Sequence, residues 1–132
     1  MTGLLNLNEI LQSLEPIVLP DEYVYCSVPS DRSIDWLLAN PLALIREAEG
    51  MTLIVTVQSA KALSLEHIGP YRCISLTVHS SLEAVGLTAA VSAALASHQI
   101  PANMLAGFFH DHILVPAETV NSALEIIRGL GG

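Results

Sequence analysis

The residues of this chain best suited to bind a metal ion or a polar ligand are three neighbours, His110-Asp111-His112. Two histidines two positions apart on a strand share one face, where they could ligate a metal with Asp111 or with His79. Alternatively, His110 and Asp111 form a hairpin turn, because an aspartate side chain readily bonds nearby backbone. In a third interpretation Asp111 pairs with the amino group of a ligand. No fourth metal ligand has a defined place, so we predict neither a metal nor another cofactor.

A second candidate site is the loop from His79 to Thr88, which leads into an apolar helical stripe. The start of a helix leaves backbone amides unpaired, and its dipole attracts anions. Gly86 would let a ligand approach the backbone closely, and Ser80 and Ser81 could add hydroxyl bonds, so the loop would suit the carboxylate of an amino acid. In the alternative interpretation Ser80 or Ser81 caps the helix, with Glu83 as partner, and Gly86 packs against a strand.

Two further polar residues flank this loop in the predicted sheet. His79 ends one strand on its polar face and Asn103 begins another, so both could face the loop if those strands are neighbours. Asn103 could instead bond the turn after Pro101. The sequence contains no G-x-S-x-G, C-x-x-C, P-loop or G-x-G-x-x-G motif, so we predict that the protein is not an enzyme.

The composition predicts a folded, acidic protein. The chain has 132 residues, of which 52% are hydrophobic, and its 13 acidic and 5 basic side chains give a net charge of −8. Phosphate backbones and anionic membranes would repel it, so we expect no nucleic-acid or membrane partner. No run reaches the roughly 18 uncharged apolar residues that cross a bilayer, and the N-terminus lacks a secretory signal pattern. Cys26 and Cys73 are expected to be free thiols, which favours the cytoplasm.

The elements that position these residues follow the same order in both halves of the chain. A helix capped by Asn6 and Glu9 comes first and ends at Pro16. The first half then has a strand, a short helix, a hairpin and another helix, predicted over 22–28, 33–38, 42–47 with 51–57, and 60–66. Gly69-Pro70 is expected to break the chain. The second half has a strand, a helix, two strands and a helix, predicted over 71–79, 87–98, 102–109 with 112–115, and from 116 to Gly129.

This repeated strand–helix–strand–strand–helix order builds a split βαβ sheet with helices on one face. Each half is one strand short of a ferredoxin-like unit, so the halves could complete each other by sharing strands. In the helix predicted over 87–98 the apolar stripe comprises Leu87, Val91, Leu95 and His98. In the last helix it comprises Val120, Ala123, Leu124 and Ile127.

The second half resembles an ACT domain, a small ferredoxin-like module that binds amino acids and similar metabolites. The resemblance lies in residues 77–90, which contain Gly86, and continues through Leu95 and Ile100 to Asn103 at the entry of the next strand. The run 106–116 is similar to small bacterial tandem-ACT proteins of uncharacterised role, which are related to the ACT repeats of CASTOR-type arginine sensors. The resemblance is strong over 72–128 and moderate over 23–60.

The resemblance implies an α+β fold of two tandem ferredoxin-like modules of βαββαβ type. These would share strands and form antiparallel sheets with helices on one face. The modules are expected at 1–69, with the leading helix, and at 70–132. By analogy the protein would be a non-catalytic regulator that binds a small metabolite, expected to be an amino acid. The expected ligand contacts are His79, Ser80, Ser81, Val85, Gly86, Leu87, Asn103 and Asp111. Val85 stands where the family commonly has a proline, which leaves the loop less constrained.

Two other functions stay open at this point. The protein could be an interaction module that binds no ligand and contacts a protein partner through its sheet edge or helices. It could also be a small metal-dependent hydrolase built on His79, His110 and His112. An exposed sheet edge makes a homodimer an expected assembly, because an unpaired strand invites another. The segment 29–34 has no loop glycine, so we expect at most one good ligand site per chain.

Overall fold

A computed structural model of the chain describes residues 6–31, 36–78 and 84–131. Its strands are β1 (Pro16–Val28), β2 (Ala43–Glu47), β3 (Gly50–Thr56), β4 (Ile68–Leu76), β5 (Asn103–Ala106) and β6 (Asp111–Pro116). The helices in these ranges are α1 (Leu7–Ser13), α2 (Val57–Ala62), α3 (Leu87–Ser97) and α4 (Val120–Gly129), the last preceded by a 3₁₀ turn at Ala117–Thr119. The described strands form a six-stranded sheet in the order β2-β3-β1-β4-β6-β5, which confirms the predicted α+β class.

The chain divides into two compact units, one of residues 1–20 with 72–132 and the other of residues 21–71. The strands β1 and β4 each contribute residues to both units, in agreement with the predicted sharing of strands. The predicted modules are two continuous segments, 1–69 and 70–132, and this division stays a prediction. No helix in the described ranges combines the length and apolar character needed to cross a membrane.

The unit that contains residues 72–132 has its core between the helices and one face of β4 and β6. Alternate residues of β4 supply Ile74 and Leu76 to this core, and α3 supplies the predicted stripe of Leu87, Val91 and Leu95. Burying each such side chain contributes about 1.5–3 kcal/mol. His98 does not belong to the stripe: it is the exposed C-cap residue of α3, because the helix ends before it.

The unit of residues 21–71 has a second core on β1, β3 and α2. Val24, Cys26 and Val28 alternate on β1 as the sequence pattern predicts, and they are buried. The antiparallel register places Val28 opposite Met51 and Cys26 opposite Leu53. The helix predicted at 60–66 instead begins at Val57, because the Thr56 side chain accepts a 3.1 Å hydrogen bond from the Ser59 amide and caps it. The short helix predicted at 33–38 lies partly outside the described residues.

The prediction that Gly69-Pro70 breaks the chain is wrong, since both residues lie inside β4. Gly69 has φ +149°, and a Cβ there would lie 3.0 Å from Val24 Cγ1 and 3.1 Å from the Tyr23 carbonyl oxygen. The glycine therefore permits a close approach of the β4 backbone to β1, which a sequence pattern alone does not distinguish from a turn.

Candidate functional site

Gly86 sets the start of α3, the helix that the sequence analysis places beside the ligand. It is the N-cap residue with φ +108°, a conformation that disfavours residues with a Cβ. Its carbonyl accepts a 2.8 Å hydrogen bond from the Ala90 amide. A Cβ at this position would lie 3.0 Å from Leu7 Cδ2, so α1 packs directly against the start of α3. A glycine N-cap has no side chain to cap the helix, and within the described ranges no acceptor binds the amides of residues 87–89.

The turn between β5 and β6 comprises Gly107, Phe108, Phe109 and His110. The Gly107 amide donates a 2.9 Å hydrogen bond to the His110 carbonyl and closes the turn. Asp111 is the first residue of β6 and pairs with Ala106 of β5. The prediction of a hairpin turn is thus confirmed for His110, but Asp111 belongs to the strand. A Cβ on Gly107 would lie 2.7 Å from the His110 carbonyl oxygen, so this tight turn requires a glycine.

The start of α3 and the β5–β6 turn enclose a cleft of about 430 Å³. Three predicted contacts, Gly86, Leu87 and Asp111, line it together. Val85 does not line the cleft, and its side chain is 82% exposed. The complete set of lining residues is Ala84, Gly86, Leu87, Thr88, Ala89, Ala106, Gly107, Phe109, His110 and Asp111. The predicted contacts at His79, Ser80 and Ser81 lie outside the described residues.

Asn103 is not brought to the cleft. It is exposed, begins β5 and pairs with Leu114, whereas Asp111 pairs with the last residue of β5. In the sheet order, β6 lies between β4 and β5. The strand that leads to His79 and the strand that begins at Asn103 are therefore not neighbours. The prediction that both residues face the loop required neighbouring strands.

Partial burial sets the electrostatics of this cleft. Burial raises the pKa of the Asp111 carboxyl, and the adjacent His112 partly offsets that effect. The Asp111 anion is thus only partly compensated, and a cationic group in the cleft would stabilise it. Beside it, Nδ1 of His110 is buried with no hydrogen-bond partner in the described part of the chain. An unpaired buried ring nitrogen costs free energy, and because this atom is covered by protein it does not itself face the cleft.

His112 faces away from the cleft. Side chains alternate along β6, so Asp111 shares a side with the core residue Ile113, and His112 lies on the opposite side with Leu114. The His112 ring forms a 2.8 Å hydrogen bond through Nδ1 with Ser75 Oγ of β4. Among the described residues no group of three histidine, cysteine or acidic side chains is arranged to hold a metal ion. The metal hypothesis offered His79 as an alternative to Asp111 for the further ligand, and His79 lies outside those residues.

Sequence reasoning missed the two exposed phenylalanines of the β5–β6 turn, of which Phe109 lines the cleft. Phe108 and Phe109 are 61% and 64% exposed, and their rings meet edge to face with centroids 4.9 Å apart. Two adjacent exposed phenylalanines are uncommon on a surface and often mark a binding region. The two adjacent phenylalanines before His110 were the available signal in the sequence, but the strand predicted over 102–109 included them.

Comparison with known proteins agrees with this architecture. Two models of the ACT domain match the chain, one over residues 2–72 and the other over residues 68–129. A Vibrio cholerae protein of unknown function, described as a possible transport protein, has 42% identity and a TM-score of 0.86 over 96% of both chains. No curated protein matches the chain.

Two more distant solved structures share the fold. An Agrobacterium tumefaciens protein has 14% identity and a TM-score of 0.75 over 89% of both chains. The ligand-free regulatory subunit of aspartate kinase from Thermus thermophilus has 14% identity and a TM-score of 0.71, over 91% of this chain and 97% of that one. These matches, the two family models and the six-stranded sheet lead to one conclusion: the chain belongs to the ACT domain family and carries two ACT domains in tandem.

Proposed function

We propose that this protein is a non-catalytic regulator that binds an amino acid in the cleft between the start of α3 and the β5–β6 turn. The observation that carries the proposal is that Gly86 and Asp111, which are 25 positions apart in the sequence, line one cleft of about 430 Å³. ACT domains are regulatory ligand-binding modules, and the aspartate kinase regulatory subunit supports that class of role for this fold.

The α-carboxylate of the ligand would lie at the start of α3. The amides of residues 87–89 precede the first intrahelical hydrogen bonds, and the partial positive charge of a helix N-terminus favours an anion. Gly86 lines the cleft, whereas the position that its Cβ would occupy faces Leu7 of α1, so its missing side chain allows α1 to pack closely. The exposed hydroxyl of Thr88, which also lines the cleft, could donate a further hydrogen bond.

The α-amino group would pair with Asp111. Burial raises the pKa of this carboxyl, which means that the surrounding protein does not fully stabilise its charge. A bound ammonium group supplies the missing positive charge and a charge-assisted hydrogen bond. The same contact gives the cleft a preference for zwitterions over simple carboxylic acids.

Binding would reach the rest of the unit through α1. Leu7 contacts Gly86, and α1 packs against α3, so a ligand that orders the start of α3 also stabilises the position of α1. A ligand that binds one arrangement more tightly than another shifts the population towards it, and a partner protein can recognise the change. This is the regulatory step that we propose.

Calorimetric titration and thermal unfolding with the twenty common amino acids test the proposal. At 100 times its dissociation constant, a ligand should raise the stability by about 2.7 kcal/mol. Asp111→Asn should weaken binding, whereas Glu118→Gln, which removes an equal charge at an exposed residue outside the cleft, should not. If no amino acid binds, the proposal fails, and the exposed Phe108–Phe109 pair would then favour a protein-interaction module.

We also propose a cytoplasmic homodimer. The strands β2 and β5 end the described sheet and each has one unpaired edge, which can pair with another chain. The mass in solution, measured by light scattering after size-exclusion chromatography, tests this assembly. A mass of 14.1 kDa, that of one chain, would contradict it.

A further inference from the structure

We infer that this cleft discriminates against amino acids with acidic side chains, aspartate and glutamate. The inference rests on the proposed function, because it concerns the side chain of a ligand whose carboxylate and amino groups are already placed. It follows from the location of every basic side chain in the unit that contains the cleft.

The unit of residues 1–20 and 72–132 contains only two of the five basic side chains, Arg72 and Arg128. The Arg72 guanidinium donates a 3.0 Å hydrogen bond from Nη2 to the Leu19 carbonyl. Arg128 lines a different cleft, of about 300 Å³, with Leu14, Glu15 and Pro16. Neither arginine lines the cleft at α3, so this unit brings no lysine or arginine to a second carboxylate.

The segment 79–83, which precedes Ala84 in the sequence, contains no lysine or arginine that would change this conclusion. Its residues are His-Ser-Ser-Leu-Glu, with an acidic residue and neither lysine nor arginine. Titrations at pH 8 keep imidazole side chains neutral and remove histidine as a source of positive charge.

The rest of the cleft suits an uncharged side chain. Ala84, Ala106 and Phe109 supply apolar walls. In a volume of about 430 Å³, a second ligand carboxylate lies within about 8–10 Å of Asp111, a distance over which salt does not fully screen their repulsion. Asp111 is the one carboxylate among the described lining residues.

Pairs of ligands with nearly the same shape and different charge test the inference. We would titrate the protein at pH 8 with glutamine and glutamate, and with asparagine and aspartate, at constant ionic strength. The uncharged member of each pair should bind at least about tenfold more tightly, which corresponds to about 1.4 kcal/mol. Asp111→Asn should reduce the glutamine-to-glutamate affinity ratio, because it removes the repelling charge while keeping a hydrogen-bond acceptor.

The Glu118→Gln variant distinguishes local repulsion by Asp111 from the general effect of the net charge of −8. It makes the same change in total charge at a residue outside the cleft, so the glutamine-to-glutamate ratio should stay that of the original protein. Equal affinity for glutamine and glutamate, or for asparagine and aspartate, would overturn the inference and leave the proposed function standing. Absence of binding by all four would overturn the inference, and the titration with the twenty common amino acids would then decide the proposed function.

Discussion

Ser75 Oγ lies 2.8 Å from Nδ1 of His112, a hydrogen bond that joins β4 to β6 on the face of the sheet opposite the helices. Ser75 is 6% exposed, and it also forms a side-chain hydrogen bond with Cys73, which partly offsets the rise in the pKa of that thiol. The Nε2 atom of the same ring is 3.5 Å from the position that a Cβ on Gly107 would occupy. The hydrogen bond therefore orients a ring that packs beneath the turn lining the candidate site.

Replacing this serine tests the value of the hydrogen bond. We expect Ser75→Ala to lower the free energy of unfolding by about 1–3 kcal/mol, because the ring nitrogen loses its partner in a half-buried position. Urea denaturation measures the change. The matched control is Ser92→Ala on α3, a half-buried serine whose hydroxyl donates a 3.4 Å hydrogen bond to the Ala89 carbonyl. If both variants unfold at the same urea concentration, the Ser75–His112 bond does not contribute to stability.

The stability of the protein should fall as the pH decreases from about 6.5. Burial, with a smaller contribution from His110, lowers the pKa of His112 in the folded protein, and Asp111 opposes the shift. The unfolded chain therefore takes up a proton at a pH where the folded protein does not, so stability is lost between 6.5 and the lowered folded pKa. The raised pKa of Asp111 acts in a more acidic range and with the opposite sign.

His112→Gln should reduce this loss of stability, since glutamine can bond Ser75 and does not titrate. The measurement is the free energy of unfolding at intervals between pH 8 and pH 5. His67→Gln, at an exposed residue whose ring bonds the Leu65 carbonyl, is the control. A pH dependence that is unchanged by His112→Gln would assign the effect to other groups.

Gly86 should tolerate no side chain, in contrast to Gly129 at the end of α4. Gly86→Ala is expected to lower the free energy of unfolding by about 1–2 kcal/mol, because φ is +108° and a Cβ would meet Leu7 at 3.0 Å. Gly129→Ala places a Cβ with no neighbour within 4 Å inside a helix, so stability should stay the same or rise. Equal stability of the two variants in urea would contradict the structure at the start of α3.

The two adjacent phenylalanines provide a matched pair for the ligand site. They have similar exposure, at 61% and 64%, but only Phe109 lines the cleft. Phe109→Ala should weaken the binding of an amino acid by several fold through the loss of apolar contact, whereas Phe108→Ala should have a smaller effect. Calorimetry with the same ligand measures both. A larger loss for Phe108→Ala would place the ligand on the outer side of the turn.

The cysteine thiols should be unreactive until the protein unfolds. Cys26 and Cys73 are free and buried, and burial raises the pKa of both, that of Cys73 to about 11. At pH 8 a thiol with this pKa is ionised in only about one molecule in a thousand, and the thiolate is the reactive form. Labelling with Ellman's reagent should be slow in buffer and fast in guanidinium chloride. Rapid labelling of the native protein would show that the strands open readily.

The α1 cap and the core stripe of α3 illustrate what local sequence can predict. Asn6 accepts a hydrogen bond from the Glu9 amide, as the capping pattern predicts, and Leu87, Val91 and Leu95 are buried at the predicted spacing. Both depend on residues within one helix, where backbone geometry determines which side chains are neighbours. The prediction at Gly69 is wrong because it depends on the distance to β1, which is a property of two strands.

For the candidate site, sequence alone identified an acidic α+β chain with a glycine before the helix predicted over 87–98 and an aspartate in the last hairpin. Glycine conformations, helix starts and alternating strands are short-range properties, so the order of residues is enough to recognise them. Only the tertiary structure decided that Gly86 and Asp111 line one cleft while Asn103 lies at the far end of β5. It also placed His112 on the opposite face with Ser75, because strand order and hairpin register depend on packing between segments far apart in the chain.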